Sequence, residues 1–192
     1  AFQWRVETEE DRRNFQETLK GAGQWEDLSL PHYGPPLGKA STLYRCEFEM
    51  PDWASTHEAL SLSFGGVDYR CQVYLNGMCV GTHEGFFEQF RLDCAGAARP
   101  STNVLLIRVE NDYTMLGENT GGIKPDGDKI YAATGLGYDE PTLGWHHCPA
   151  AMGIWNFVRL EGRARLAIDD LWVRPLLETS EIEIHAEIDS CS

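Results

Sequence analysis

Trp145-His146-His147-Cys148 is the densest run of side chains able to do chemistry. An indole offers a broad apolar face with few rotors to freeze. An imidazole donates a hydrogen bond from one nitrogen and accepts at the other. The run therefore suits recognition of a polar ligand with an apolar face, and it suits packing and hydrogen bonding within a loop. A metal site is a third reading. It is disfavoured because His146 and His147 are adjacent, and adjacent side chains diverge on a strand. Asp126-Gly127-Asp128 has some calcium-loop character but lacks the spaced ligands of an EF-hand. Neither a metal nor another cofactor is expected. Thirty acidic residues make pairs such as Asp139-Glu140 and Asp169-Asp170 expected by chance, so no catalytic residue is assigned to them.

The run lies in residues 111–153, which contain eight glycines. A stretch of this length without strand or helix pattern is uncommon in a compact domain and is usually functional. Around it, 192 residues with 42% hydrophobic side chains suit one globular domain, with room for the start of a second. The net charge of −14 argues against a nucleic-acid backbone and an anionic membrane as partners. No apolar run approaches the ~18 residues of a membrane-spanning helix. The six cysteines, at 46, 71, 79, 94, 148 and 191, form no C-x-x-C pair. That argues against a thiolate zinc site, and buried free thiols are expected rather than disulfides.

The elements that must position the run are strands. One helix is expected over 8–20, capped by Thr8 with Asp11 three residues on and stopped at Gly21. Beyond it the period becomes two. Tyr44, Cys46, Phe48 and Met50 share one face, as do Leu60, Leu62 and Phe64, and Val67, Tyr69, Cys71, Val73 and Leu75. Asn76-Gly77 supplies a hairpin turn, since both positions favour φ > 0. Further strands are expected over 87–92, 104–109, 154–160 and 166–173. Regular strands with polar turns point to an all-β sandwich or jelly roll. Residues 181–188 alternate with Ile182, Ile184, Ala186 and Ile188 on one face. That strand reads as lacking a partner, and as the first of a following domain.

The ordered motifs resemble the early part of family 2 glycoside hydrolases, of β-galactosidase, β-glucuronidase and β-mannosidase type. They are Leu30-Pro31-His32-Tyr33-Gly34, Tyr44-Arg45, Phe64-Gly65-Gly66-Val67-Asp68, Val73-Tyr74-Leu75-Asn76-Gly77 and Val80 to Phe86. Asn103-Val104-Leu105, Val109-Glu110-Asn111 and Gly153-Ile154-Trp155 before Val158-Arg159-Leu160 complete the series. The resemblance covers roughly residues 24–175. It implies a galactose-binding-like jelly roll over 1–175, with residues 176–192 beginning an immunoglobulin-like domain, followed by a TIM barrel that holds two catalytic glutamates.

Hydrolysis of this type usually needs two carboxylates, about 5 Å apart in retaining enzymes. The family's acid/base glutamate follows an asparagine, and no Asn-Glu pair occurs here. The resemblance therefore implies a non-catalytic domain whose partners are carbohydrate and the remaining domains. In the family's β-galactosidases and β-glucuronidases an aspartate stands six residues before the glycine of Gly-Ile-Trp and reaches the sugar pocket. Here that position is His147, which can hydrogen-bond a hydroxyl but lacks the carboxylate charge. Trp145, His146 and His147 are the expected substrate-binding residues. A stand-alone lectin-like module and a purely structural interaction domain are the alternative readings.

Overall fold

In a computed structural model that describes residues 1–34, 40–57, 59–110, 113–114, 128–129, 152–164 and 166–190, the alternating stretches form antiparallel strands. One sheet runs in the order β2 (Glu26–Leu28), β1 (Phe2–Val6), β3 (Ser41–Glu49), β8 (Thr102–Glu110), β5 (Arg70–Leu75) and β6 (Met78–Glu84). A three-stranded sheet has the order β11 (Val158–Arg163), β4 (Ala59–Phe64) and β7 (Phe90–Asp93). Two-residue strands β9 (Tyr113–Thr114) and β10 (Asp128–Lys129) pair with each other. Tyr44, Leu62, Phe64, Val73, Ile107 and Ile154 form one core between the two larger sheets. The sandwich matches the expected all-β class, and the inward faces of β3, β4 and β5 are those read from the period-2 pattern.

The outer face of the six-stranded sheet differs from that pattern. Leu43 and Leu106 point away from the main core, yet they are buried against Leu19, Phe15, Trp25 and Tyr74. Two short helices lie near the N-terminus, α1 (Glu9–Arg13) and α2 (Phe15–Leu19), and α2 provides the cover. The single helix expected over 8–20 is thus broken at Asn14, whose φ of −112° and ψ of 40° are not helical. The expected cap is present, with Thr8 accepting from the Asp11 amide and Asp11 accepting from the Thr8 amide. Glu7 fastens this segment to the sheet. Its side chain is 1% exposed, and it accepts bonds from Arg108 at 2.6 and 2.8 Å and from Arg12 at 2.9 Å.

Asn76 and Gly77 turn β5 into β6 with φ of 53° and 84°, as a two-residue hairpin requires. The Asn76 amide also ties down the next turn. Its Nδ2 donates to Ala97 O and Asn103 Oδ1, each at 2.8 Å, and its Oδ1 accepts from the Val104 amide at 3.0 Å. Asn76→Ala strains the turn and breaks all three bonds. A destabilisation of about 2 kcal/mol is expected in urea unfolding; Asn76→Gly keeps the turn and isolates the loss of the bonds.

Cys46, Cys71, Cys79 and Cys94 are free thiols. Burial pushes Cys71 and Cys94 up to about 12, whereas Cys79 is exposed.

The terminal strand corrects its sequence reading, because it does have a partner. β13 (Glu181–Ser190) pairs antiparallel with β12 (Leu166–Leu176). A bulge between Ile168 and Asp170 inserts one extra residue, so Ile168 and Leu171 fall on the same face. That face also carries Val173, Ile182, Ile184 and Ile188, all exposed. On the other face Trp172 stacks on His185 at 3.9 Å, and Arg174 faces Glu183.

Candidate functional site

Three segments far apart in sequence meet at one end of the sandwich. They are residues 32–34, residues 68–69 after β4, and residues 152–154 before β11. The His32 amide donates to Ile154 O at 2.8 Å, and Gly34 and Met152 exchange two bonds of 3.2 Å. The Asp68 amide donates to Gly153 O at 2.9 Å, and the Gly153 amide donates back to Asp68 O at 3.2 Å. The next residue, Tyr69, donates its amide to Glu110 O at 3.1 Å. Residues 110 and 153, which bracket 111–152, are therefore both held by the dipeptide Asp68-Tyr69.

Side chains reinforce this node. Asp68 is fully buried, and its Oδ2 accepts from the Tyr33 hydroxyl at 2.8 Å. The bond joins Asp68 to a residue 35 positions away. Tyr44 OH lies 2.9 Å from His32 Nδ1. Burial pushes the Tyr44 hydroxyl up to about 12 and holds the His32 imidazole below its ordinary value. The node thus favours uncharged phenol and uncharged imidazole.

Glycine is needed at the crossing point. Gly153 has φ of +144°, and a Cβ there would lie 2.4 Å from the His32 carbonyl oxygen and 2.9 Å from Tyr44 OH. Gly66 leaves room for the Trp155 indole in the same way. Trp155 donates from Nε1 to Phe86 O at 3.0 Å and stacks on the Phe86 ring at 5.3 Å. Tyr33 meets Phe86 edge-on, and Phe87 stands 61% exposed beside them.

His83 and Glu84 close β6, and Gly85 follows them. The His83 ring stacks on Phe90 at 3.8 Å, and Phe90 stacks on Phe64 at 4.6 Å. Burial lowers the His83 imidazole despite the nearby Glu88 and Glu84 carboxylates, which suits packing better than proton transfer. Among the described residues no group of three or more His, Cys, Asp or Glu side chains gathers around a point.

Trp145, His146 and His147, the expected substrate-binding residues, lie outside the described residues, as do Asp126 and Cys148. The structure brings together the residues that flank them in sequence. Tyr33, Asp68 and Trp155 carry that arrangement. The Tyr33–Asp68 contact had no local signal, while the Gly65-Gly66 pair is a visible sign of close approach by a bulky side chain.

Comparison with known proteins agrees with this architecture. The model of the family described as "Glycosyl hydrolase 2 galactose-binding domain-like" matches residues 35–156. A curated "Beta-galactosidase" from Arthrobacter sp. (strain B7) is 40% identical over 68 residues, or 34% of this chain and 7% of that protein. A "Putative beta-glucuronidase" from Formosa agariphila is 28% identical over 98 residues, or 46% of this chain and 12% of that protein. The fold matches a β-D-mannosidase from Dictyoglomus thermophilum, with TM-score 0.68 and 19% identity, over 98% of this chain and 25% of that one. It also matches a Ruminococcus gnavus β-glucuronidase, with TM-score 0.70 and 16% identity, over 98% of this chain and 32% of that one. The chain spans a quarter to a third of these solved relatives and a smaller share of the curated ones.

Proposed function

The chain belongs to the glycosyl hydrolase 2 galactose-binding domain-like family, and on that premise we propose that it is the non-catalytic N-terminal domain of a longer glycosidase cleaving O-glycosidic bonds. Residues 111–153 lend Trp145, His146 and His147 to the substrate pocket of a TIM barrel supplied by the rest of the polypeptide. The indole stacks on the sugar's C–H face and the imidazoles hydrogen-bond its hydroxyls. The barrel supplies the two carboxylates that the bond cleavage needs.

The observation that carries this reading is the node. Asp68-Tyr69 holds both residue 110 and residue 153, so the intervening segment leaves from and returns to one fixed point on a rigid sandwich. Fixing the two ends of a segment lowers the chain entropy that it must lose when it orders against a ligand. The β12–β13 hairpin fits the same plan. A two-stranded ribbon is marginal in water by itself, and its apolar face suits the start of an immunoglobulin-like domain. The next domain then begins with β12 at Leu166, ahead of the boundary at 175 expected from the sequence.

Aryl β-galactoside, β-glucuronide and β-mannoside are the substrates for the test. The 192-residue chain is expected to release no aglycone, whereas the complete polypeptide encoded by the gene cleaves at least one. In that polypeptide, Trp145→Ala combined with His147→Ala lowers kcat/KM by about tenfold or more. Turnover by the short chain overturns the non-catalytic role. An unchanged kcat/KM in the double variant overturns the contribution of residues 111–153.

A further inference from the structure

Of the described side chains at the node, only the imidazole of His32 belongs to a type that changes charge near neutral pH. Its Nδ1 lies 2.9 Å from the Tyr44 hydroxyl. Two rings pack against it, Trp4 of β1 at 4.9 Å and Tyr44 of β3 at 5.8 Å. The crossing segment brings Met152, Gly153 and Ile154, none of which titrates. Among the described residues Tyr44 is therefore the titratable group that faces the ring, and no carboxylate stands by to stabilise a cation.

The surroundings of the phenol fix the direction of the bond. Tyr44 is fully buried, so its proton needs an acceptor inside the protein. The Ile154 amide beside the oxygen is a donor, and Thr42 Oγ1 has no hydrogen-bond partner. The hydroxyl therefore donates to His32 Nδ1, and the neutral imidazole carries its own proton on Nε2. His32 is only half-buried, so the ring exchanges protons with water.

A second proton on this ring has to settle on Nδ1. Two hydrogens then face each other across the bond. The hydroxyl turns away, its proton loses its acceptor in the core, and a cation stands without a counter-charge. The disturbance reaches the crossing directly. The backbone at 32 and 34 carries the bonds to Ile154 and Met152, and a Cβ at 153 would lie 2.4 Å from the His32 carbonyl oxygen. We propose that His32 and Tyr44 form a pH-sensitive latch: protonation of His32 opens the bond to Tyr44 and loosens residues 152–154. Residue 153 is one of the two points that hold the segment 111–152, but the latch does not depend on what that segment binds.

Burial lowers the His32 imidazole, so the unfolded chain binds this proton more readily than the folded one. The stabilisation is fully present above the unfolded value of about 6.5. It declines as pH falls from there toward the folded value.

The test uses the isotopically labelled 192-residue chain between pH 8 and pH 5. At pH 8, nitrogen NMR is expected to show the His32 proton on Nε2. Amide exchange at His32, Met152 and Gly153 is corrected for its intrinsic pH dependence and referred to the amides of β3 and β8. As His32 is protonated, it is expected to accelerate about fivefold or more. His32→Gln, whose carboxamide accepts from Tyr44 at every pH, abolishes the acceleration. Tyr44→Phe removes the conflict of protons and raises the midpoint at which His32 titrates. Thermal melts check that both variants are folded, and the tautomer is read without any substitution. The proposal is overturned by a proton on Nδ1 at pH 8, by exchange that does not accelerate, by acceleration that persists in His32→Gln, or by a lower His32 midpoint in Tyr44→Phe. None of these measurements involves a glycoside, so each outcome leaves the glycosidase-domain reading to its own test by turnover.

Discussion

Gly153→Ala is expected to lower the stability of the domain by about 3 kcal/mol or more, and the melting temperature by roughly 10 °C. Two costs combine. The backbone at φ of +144° is a region that side chains with a Cβ avoid. The new methyl also meets the His32 carbonyl oxygen at 2.4 Å, and that oxygen belongs to backbone fixed by the bond from the His32 amide to Ile154 O. A flexible side chain could turn aside, but this strand of backbone cannot. Gly77→Ala separates the two costs. Gly77 also has positive φ, at 84°, but nothing lies within 4 Å of a Cβ there. It should therefore show the conformational cost alone, about 1 kcal/mol. Chemical unfolding of the two variants side by side reads the difference, and equal losses would remove the argument for a crowded crossing at residue 153.

Glu7→Gln is expected to cost about 3 kcal/mol at neutral pH. The carboxylate is 1% exposed and pairs with Arg108, itself 15% exposed. Removing the charge leaves the guanidinium with Glu110, at 2.8 Å, as its remaining charged partner among the described residues. A buried charge that loses its partner costs far more than an exposed pair gives. The acid limb carries the second signature. Burial pushes the Glu7 carboxyl up, but hydrogen bonds from Arg108 and Arg12 and their positive charges outweigh it, and the net effect is a lowered value. The unfolded chain therefore binds this proton more readily than the folded one. The stabilisation is fully present above the unfolded value and is lost as pH falls through the folded value. Stability of the two proteins measured by urea unfolding should converge as the solution is acidified. A gap of constant size down the acid limb would mean that Glu7 acts through shape rather than charge.

The strands, the capped N-terminal turn and the Asn76-Gly77 hairpin were legible because each depends on near neighbours. A period of two states which way a side chain points, and a Thr8–Asp11 spacing closes its own cap. The node was not legible in the same way. Asp68 carries no local mark of its bond to Tyr33, and nothing near Glu7 announces Arg108 at a separation of 101 residues. Leu43 and Leu106 show the same limit, since alternation placed them on an outer face without stating that α2 covers it.

The amino-acid sequence by itself determined the class of fold, the turn chemistry and, through its ordered motifs, the family. It also determined that this chain lacks the Asn-Glu pair of the family's acid/base residue. The tertiary structure decided what lies opposite each face: a partner for the final strand, a buried ion pair for Glu7, and a single dipeptide holding residues 110 and 153. The reason is physical. Propensity and periodicity act over a few residues, whereas burial, charge pairing and close backbone approach exist only once distant segments share the same space.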